Sequence, residues 1–423
     1  MSVQTQGDMK AVFMTQYKKA NFGNIQTPKS KDLMFGQVII KVHAVSLNPI
    51  DHKILDGKWK PAAGKPSSKN PAVLGQDISG TISSIGNGVK YFDVGDEVFG
   101  ISWSGALASH RICYADSLCK KPKELSHGEA AALVTAGLTA MQMLERAKMN
   151  SARFNKVFIS AGCGGVGHFA LQLAKRVFSV GEIITTVSTG KMELAGELGA
   201  TKVLDYTESG FALGKRLKEI GLENLDSALD NVGNVSECQQ CVNQNKDEAS
   251  SVVTILGLPT GAMLKEVAIK HHLPKFSILL LGLLNLKTKI KYRGPVIVEN
   301  IIMLPIPEDL AKLSSFAVDK KIKVVIDRIY PLEEAIAGLE YLREGHFSRR
   351  RVLLKQKLKL KLKLKLKLKL KLKLKLKLKL KLKLKLKLTK RMCWQQQQQQ
   401  LQLQKQRHLQ RIQKLVLLMM LLL

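Results

Sequence analysis

The chain has 423 residues and a formal net charge of +33 at pH 7, a charge that alone suggests a nucleic-acid-binding protein. The excess is concentrated at one end, because residues 355–423 contain 20 Lys, 3 Arg and no acidic residue, which leaves a net charge of +10 for residues 1–354. The mildly basic body argues against nucleic-acid binding, and its length favours an enzyme of two domains.

Six cysteines are scattered along the chain without an even framework, so we expect reduced thiols. Residues 1–9 show neither a secretory signal peptide nor an Arg-rich leader, which favours the cytosol. Cys238 and Cys241 form a C-x-x-C motif without the second pair of ligands that a structural zinc site needs, and we interpret them as incidental thiols.

Residues 10–130 contain short β-type runs, such as QVIIKVHAVSL and DISGTISSI, separated by Gly, Pro and Asn. This spacing predicts an irregular antiparallel or barrel-like domain. A run rich in Ala, Leu and Met then predicts a helix over His127–Met149.

Strands and helices alternate strictly in the next part of the chain. KVFIS, EIITTV, KVLDY, DSALDNV and SVVTILG are predicted strands with helical segments between them. Such alternation predicts a parallel doubly wound sheet. From about residue 301 the order is helix, strand, helix and strand, and we expect these elements to return to the first domain.

Residues 357–388 are sixteen Lys-Leu repeats, followed by a Gln run at 395–400 and a basic, Leu-rich end. Repulsion between like charges predicts a disordered tail in water. On an anionic membrane each Lys contributes about 1 kcal/mol, so peripheral membrane contact is one hypothesis. The favoured alternative is a low-complexity extension without a chemical role. No aromatic residues interleave for stacking on nucleic-acid bases.

The segment AGCGGVG contains G-x-G-x-x-G as Gly162, Gly164 and Gly167, between a predicted strand and a predicted helix. In this setting the pattern indicates a dinucleotide site. Gly162 allows a tight turn, Gly164 lets the backbone approach a pyrophosphate, and Gly167 allows close packing of helix and strand.

The residues at the end of EIITTV, the second predicted strand of the parallel sheet, indicate which of the two nicotinamide cofactors binds. NAD is held by an acidic residue at the tip of this strand, whereas here the strand ends in Ser188-Thr189-Gly190-Lys191. A hydroxyl and a cation suit a 2′-phosphate, so NADPH is predicted. The alternatives are a helix cap for Ser188 and a solvated lysine for Lys191.

Over residues 9–354 the chain resembles the zinc-independent medium-chain dehydrogenase/reductase superfamily, on its quinone oxidoreductase and enone reductase branch. The motifs that carry this resemblance are SLNPIDHKIL, VLGQDISGTISSIGNGV, VGDEVFG, AAALVTAGLTAMQML, AGCGGVGHFALQLAK, LGATKVLDY and PLEEAIAGLEYLREGH. The resemblance implies an α/β fold, an active site in the cleft between two domains, and a homodimer. It implies a GroES-like catalytic domain over 9–130 and 301–354, a Rossmann domain over 131–300, and a tail over 355–423.

The chain departs from zinc alcohol dehydrogenases at their metal ligands. Asn48-Pro49-Ile50-Asp51 stands where those enzymes have a cysteine, and Gly75-Gln76-Asp77 stands where they have Gly-His-Glu. The lobe of four cysteines that binds structural zinc is also missing. Without a Lewis acid the oxidation of an alcohol loses its main support, whereas reduction of a C=C bond or a quinone needs hydrogen bonds and a proton. The sequence therefore favours a conjugated acceptor and no metal.

The resemblance also implies roles for single residues. Asn48, Asp51 and Lys53 belong to the active-site loop, where the alternative for Asn48 and Asp51 is a loop-forming Asx role. Trp59 stands where many relatives have a tyrosine. The residues implied to contact the cofactor are Thr135 at the nicotinamide, Gly164, Gly165, Val166 and Gly167 at the pyrophosphate, Ser188, Lys191 and Tyr206 at the 2′-phosphate, and Asn231 and Leu256 at the nicotinamide ribose and carboxamide.

Together these observations predict an NADPH-dependent reductase of quinones or α,β-unsaturated carbonyl compounds in the cytosol. The alternative is a membrane-associated or regulatory NADPH-binding protein with little turnover, recruited to a surface by its tail. A zinc alcohol dehydrogenase is disfavoured by the missing ligands.

Overall fold

The computed structural model describes residues 8–58, 65–256, 294–344 and 351–355, together with 396, 398–400 and 402–404. Residues 1–356 form one compact unit and residues 357–423 form another. The predicted disorder of the tail lies mostly outside the described residues. Within the described residues, no helix has the length and apolarity that a membrane crossing requires.

The first part of the chain is built from strands and one short helix. Their bounds are β1 (Asp8–Gln16), β2 (Lys19–Gln26), β3 (Gln37–Ser46), α1 (Pro49–Leu55), β4 (Ala72–Val73), β5 (Asp77–Ile85), β6 (Glu97–Ile101), β7 (His110–Tyr114) and β8 (Leu118–Lys120). Strands β2, β1 and β4 form a small antiparallel sheet, and β3 pairs antiparallel with both β5 and β7. The predicted antiparallel character is confirmed.

Helices and parallel strands follow. Their bounds are α2 (His127–Met149), β9 (Lys156–Ile159), α3 (Gly167–Arg176), β10 (Glu182–Val187), α4 (Met192–Leu198), β11 (Lys202–Asp205), α5 (Leu213–Glu219), β12 (Ser227–Asp230), α6 (Val235–Cys241), β13 (Ser251–Thr254) and β14 (Ile297–Asn300). The parallel sheet has the order β11-β10-β9-β12-β13-β14, which confirms the predicted doubly wound sheet. Its strand order reverses beside β9, and ligands bind at such a point in open parallel sheets.

The last described elements of the first unit are two helices and two strands, and the strands join the sheet that contains β3, β5, β6, β7 and β8. They are α7 (Pro307–Val318), β15 (Ile326–Tyr330), α8 (Ala335–Arg343) and β16 (Arg351–Lys355). Strand β16 pairs parallel with β15 and antiparallel with the end of β3. This sheet therefore combines strands from the beginning and from the end of the first unit.

Helix α2 connects the two larger sheets. It starts with a capping box, in which Glu129 N–H donates to Ser126 Oγ and Ser126 N–H donates to the Glu129 carboxylate. It contacts β3, β5 and β6 of one sheet and β12 and β13 of the other. The domain limit at residue 130 stays a prediction, as do those at 300 and 354, and α2 runs across the first of them.

Candidate active site

A cavity of about 620 Å³ lies between the start of α1, the glycine turn that precedes α3, and the ends of β12 and β13. Its walls are largely apolar, with Ile101, Trp103, Ile301, Ile302 and Met303 among them. Polar side chains reach it from α1, from the start of β5 and from α2. Ligand sites commonly combine apolar walls with a few polar groups in this way.

The glycine turn has almost no room for side chains at two of its positions. A Cβ at Gly162 would lie 2.2 Å from Thr185 Oγ1, and a Cβ at Gly167 would lie 2.2 Å from the Ala161 carbonyl oxygen. A Cβ at Gly164 would meet only Ala161, at 3.0 Å from its carbonyl oxygen. The turn is therefore tightly packed against the sheet at Gly162 and Gly167 and more open at Gly164.

Asn231 follows β12 and lines the cavity. Its backbone N–H donates to Ser160 Oγ at 2.7 Å, and its side-chain Nδ2 donates to the Ser160 carbonyl at 2.8 Å. Its Oδ1 is buried and accepts no hydrogen bond in the described part of the chain. The fully buried Asp230 fixes the turn, because its Oδ1 accepts from the backbone N–H groups of residues 232–234.

The start of α1 is joined to β5 and α2 through one buried carboxylate. Asp77 is fully buried, and it accepts hydrogen bonds from Asn48 Nδ2 at 2.8 Å and from Thr135 Oγ1 at 2.5 Å. The backbone N–H of Thr135 also donates to it, at 3.1 Å. Asp77 therefore positions two side chains that line the cavity.

Asp51 is buried and does not line the cavity. Its Oδ2 accepts from the Asn48 backbone N–H at 2.7 Å, and its Oδ1 has no hydrogen-bond partner in the described residues. Burial raises the pKa of the Asp51 carboxyl, and the nearby Asp77 raises it further, against the lowering effect of the Asn48 hydrogen bond.

Ser188, Lys191 and Tyr206 follow the carboxyl ends of β10 and β11 and do not line the cavity. The Tyr206 backbone N–H donates to the Val187 carbonyl at 3.1 Å, which places Tyr206 beside Ser188. The nearby Asp205 accepts hydrogen bonds from the Thr189 hydroxyl and from both the N–H and the hydroxyl of Thr207. These bonds lower the pKa of the Asp205 carboxyl.

Two family models match the chain: the alcohol dehydrogenase GroES-like domain over residues 35–145, and the zinc-binding dehydrogenase model over residues 198–347. The mitochondrial NAD(P)H oxidoreductase RTN4IP1 of Mus musculus is 30% identical over 348 residues, covering 75% of this chain and 81% of the relative. The chain belongs to the medium-chain dehydrogenase/reductase superfamily.

Other members of the superfamily are similarly related. The 2-methylene-furan-3-one reductase of Solanum lycopersicum is 34% identical over 272 residues, which are 61% of this chain and 65% of that protein. The solved quinone oxidoreductase of Coxiella burnetii has a TM-score of 0.64 and 29% identity, over 82% of this chain and 99% of that one. The GroES-like and Rossmann fold class is confirmed, and the chain is an oxidoreductase with a nicotinamide cofactor.

The residues around the glycine turn fit such a cofactor. The open face at Gly164 leaves room for a pyrophosphate, and the start of α3 supplies backbone N–H groups. The Asn231 Oδ1 needs a donor, which a ribose hydroxyl or a carboxamide N–H provides.

The structure brings together most of the residues singled out from the sequence. Those that line the cavity are Asn48, Lys53, Thr135, Gly164, Gly165, Val166, Gly167, Asn231 and Leu256. Those that do not line it are Asp51, Gly162, Ser188, Lys191 and Tyr206. Their roles stay predictions, and Trp59 lies outside the described residues.

Sequence reasoning did not single out Asp77 or Gln76 as site residues, although both stand in the motif GQD that opens β5. Cys238 and Cys241 lie apart from the cavity, buried on α6, and burial raises the pKa of both thiols. In the described part of the chain, no three residues of the His, Cys, Asp or Glu type are grouped to hold a metal ion.

Proposed function

We propose that the chain is an NADPH-dependent oxidoreductase that transfers hydride to a quinone or to the C=C bond of an α,β-unsaturated carbonyl compound, without zinc. The observation that carries the proposal is one continuous cavity that runs from the glycine turn to the start of α1 between apolar walls. A flat, conjugated acceptor fits between such walls, next to the site of the cofactor.

The cofactor, when bound, supplies the hydride. The chain's own part is to orient it and to keep water from the carbon that receives the hydride. Asn231 Oδ1 and Thr135 Oγ1 offer hydrogen-bond acceptors to the cofactor's hydroxyl or amide groups. Ile301, Ile302 and Met303 shield the reacting carbon from water.

The zinc-free chemistry is supported by the donor set at the cavity. Asn48 and Gln76 present neutral amides, whereas catalytic zinc is held by thiolate, imidazole or carboxylate ligands. His52, Cys163 and His168 also line the cavity, but among the described residues no three side chains of these types are grouped to hold a metal ion. A conjugated acceptor suits this site, because its product oxygen is stabilised by hydrogen bonds alone.

The choice of NADPH rests on the ends of β10 and β11. Ser188 and Tyr206 supply hydroxyls there, and Lys191 supplies a positive charge. The acceptor atoms of Asp205 are occupied by Thr189 and Thr207, so this carboxylate is less available to the ribose hydroxyl of NAD.

The test is the rate of NADPH oxidation by the purified chain with a simple enone, with a naphthoquinone and without acceptor, repeated with NADH. We expect turnover with at least one acceptor and a preference for NADPH. Tight NADPH binding without turnover of any acceptor would contradict the reductase and favour the NADPH-binding protein.

Substitutions at the 2′-phosphate site test the cofactor choice separately. In Lys191→Ala we expect the preference for NADPH over NADH to fall about tenfold or more, because a charge-assisted contact contributes about 1.5–3 kcal/mol. The KM for NADH should stay unchanged. Lys215→Ala, an exposed lysine on α5, is the control for loss of a positive charge. Equal loss with both cofactors would contradict the assignment.

The cytosolic location, the homodimer and contact of the tail with membranes stay predictions. Relatives are named as mitochondrial and chloroplastic, and these two compartments are compared with the cytosol in the test. Fractionation of cells that express the full chain, and light scattering of the purified protein, test the first two.

A further inference from the structure

Asp77 determines whether two side chains of the cavity wall can donate hydrogen bonds to a ligand. A carboxylate only accepts, so Thr135 must direct its single hydroxyl proton to Asp77. Asn48 directs its Nδ2 protons to Asp77 at 2.8 Å and to the Ser46 carbonyl at 3.4 Å. Neither side chain keeps a donor for a ligand in the cavity.

The remaining donors on the cavity wall are few. One of the two Asn231 Nδ2 protons is donated to the Ser160 carbonyl, and Thr139 Oγ1 donates its proton to the Thr135 carbonyl. Apart from the histidines, three side chains with N–H groups line the cavity and make no hydrogen bond to another residue within the described ranges. They are Lys53, Gln76 and Trp103.

Among these three donors, Gln76 is the one whose backbone is held by the neighbouring chain segments on both sides. Its carbonyl accepts from the Ser102 N–H at 2.9 Å. The next residue, Asp77, pairs with Ser46 of β3 and Ile101 of β6. Successive side chains along a strand point to opposite faces, which accounts for a buried Asp77 beside a Gln76 that lines the cavity. By contrast, Lys53 has a long flexible stem and Trp103 is 38% exposed.

We propose that the side-chain amide of Gln76 donates a hydrogen bond to the carbonyl oxygen of the acceptor, an assignment that rests on the proposed reductase function. When hydride adds to the β-carbon of an enone, the C=C electron pair forms an enolate and the oxygen takes the negative charge. The α-carbon then takes a proton from water. Because a donor binds this charged oxygen more strongly than the ground-state carbonyl, Gln76 lowers the barrier.

The first test is Gln76→Met, which keeps the length of the side chain and removes the amide. Loss of one such donor costs about 100-fold in rate. We expect kcat/KM for the enone to fall about 100-fold, while the dissociation constant of NADPH, measured by fluorescence titration, stays unchanged. Gln240→Met, the same change at an exposed position of α6, is the control.

The second test is Gln76→Glu, whose carboxyl donates only while it is protonated. The activity of this variant relative to the unsubstituted chain should fall about tenfold per pH unit above the carboxyl pKa, which is about 4.3 in an unperturbed Glu. A purely structural role would give no such profile. This test also decides the matter if Gln76→Met does not fold.

The outcomes separate the two proposals. If the unsubstituted chain binds NADPH and reduces no enone or quinone, the proposed function fails. If it turns over and Gln76→Met retains full kcat/KM, or Gln76→Glu has an unaltered pH profile, only the role of Gln76 is overturned.

Discussion

The Asp51 carboxyl is 1% exposed, and burial raises its pKa from 3.8 to about 8. The hydrogen bond from the Asn48 N–H opposes this shift, and the neighbouring Asp77 adds to it. At neutral pH the carboxyl is therefore protonated in the folded protein and ionised in the unfolded chain. Folding takes up a proton at this position.

This linkage predicts how stability depends on pH. Between about pH 4 and pH 8 the unfolded chain binds fewer protons at Asp51 than the folded protein does, so the free energy of unfolding decreases as the pH rises. Asp51→Asn cannot ionise and should lose this component. Thermal unfolding of both proteins at a series of pH values measures it, and parallel curves for the two proteins would contradict the prediction.

At the scale of the element, the glycine turn has one position where packing excludes a side chain and another that faces the cavity. A Cβ at Gly162 meets the fully buried Thr185, whose hydroxyl is bonded to the Ile159 carbonyl at 2.6 Å. A Cβ at Gly164 meets only Ala161, and Gly164 belongs to the part of the turn that lines the cavity. The two glycines therefore have different reasons to lack a side chain.

We expect Gly162→Ala to lower the melting temperature strongly, because a fixed buried contact must move. Gly164→Ala should melt close to the unsubstituted protein and bind NADPH about tenfold or more weakly, since its methyl group meets the cofactor. Thermal melts and fluorescence titration measure the two effects. Unchanged NADPH affinity in Gly164→Ala would remove the turn from the cofactor site.

Local patterns were sufficient to predict these elements. The run rich in Ala, Leu and Met predicts the bounds of α2, and the G-x-G-x-x-G spacing locates the turn. The contacts around Asp77 were not predictable in the same way, because they join residues 48, 77 and 135, which are far apart in the sequence. Such contacts depend on how β3, β5 and α2 pack, and no short motif encodes them.

At the scale of the whole molecule, the end of the first unit is connected directly to the active site. Strand β16 pairs through Leu353 with Ser46, two residues before Asn48. Its neighbour β15 continues the same sheet. The tail that follows belongs to a separate compact unit and carries most of the net charge of the chain. Truncations on the two sides of β16 should therefore have opposite results.

A chain that ends at Gln356 keeps β16 and should retain the melting temperature and kcat/KM of the full protein. A chain that ends at Glu344 loses β16, exposes the edge of β3 next to Asn48, and should melt at a lower temperature and lose turnover, because the sheet that holds the start of α1 is incomplete. Thermal melts and NADPH oxidation by the three proteins measure the difference. If the chain ending at Gln356 melted like the full protein and yet lost turnover, the tail would contribute to catalysis itself, and the active site could not be assigned to the first unit alone.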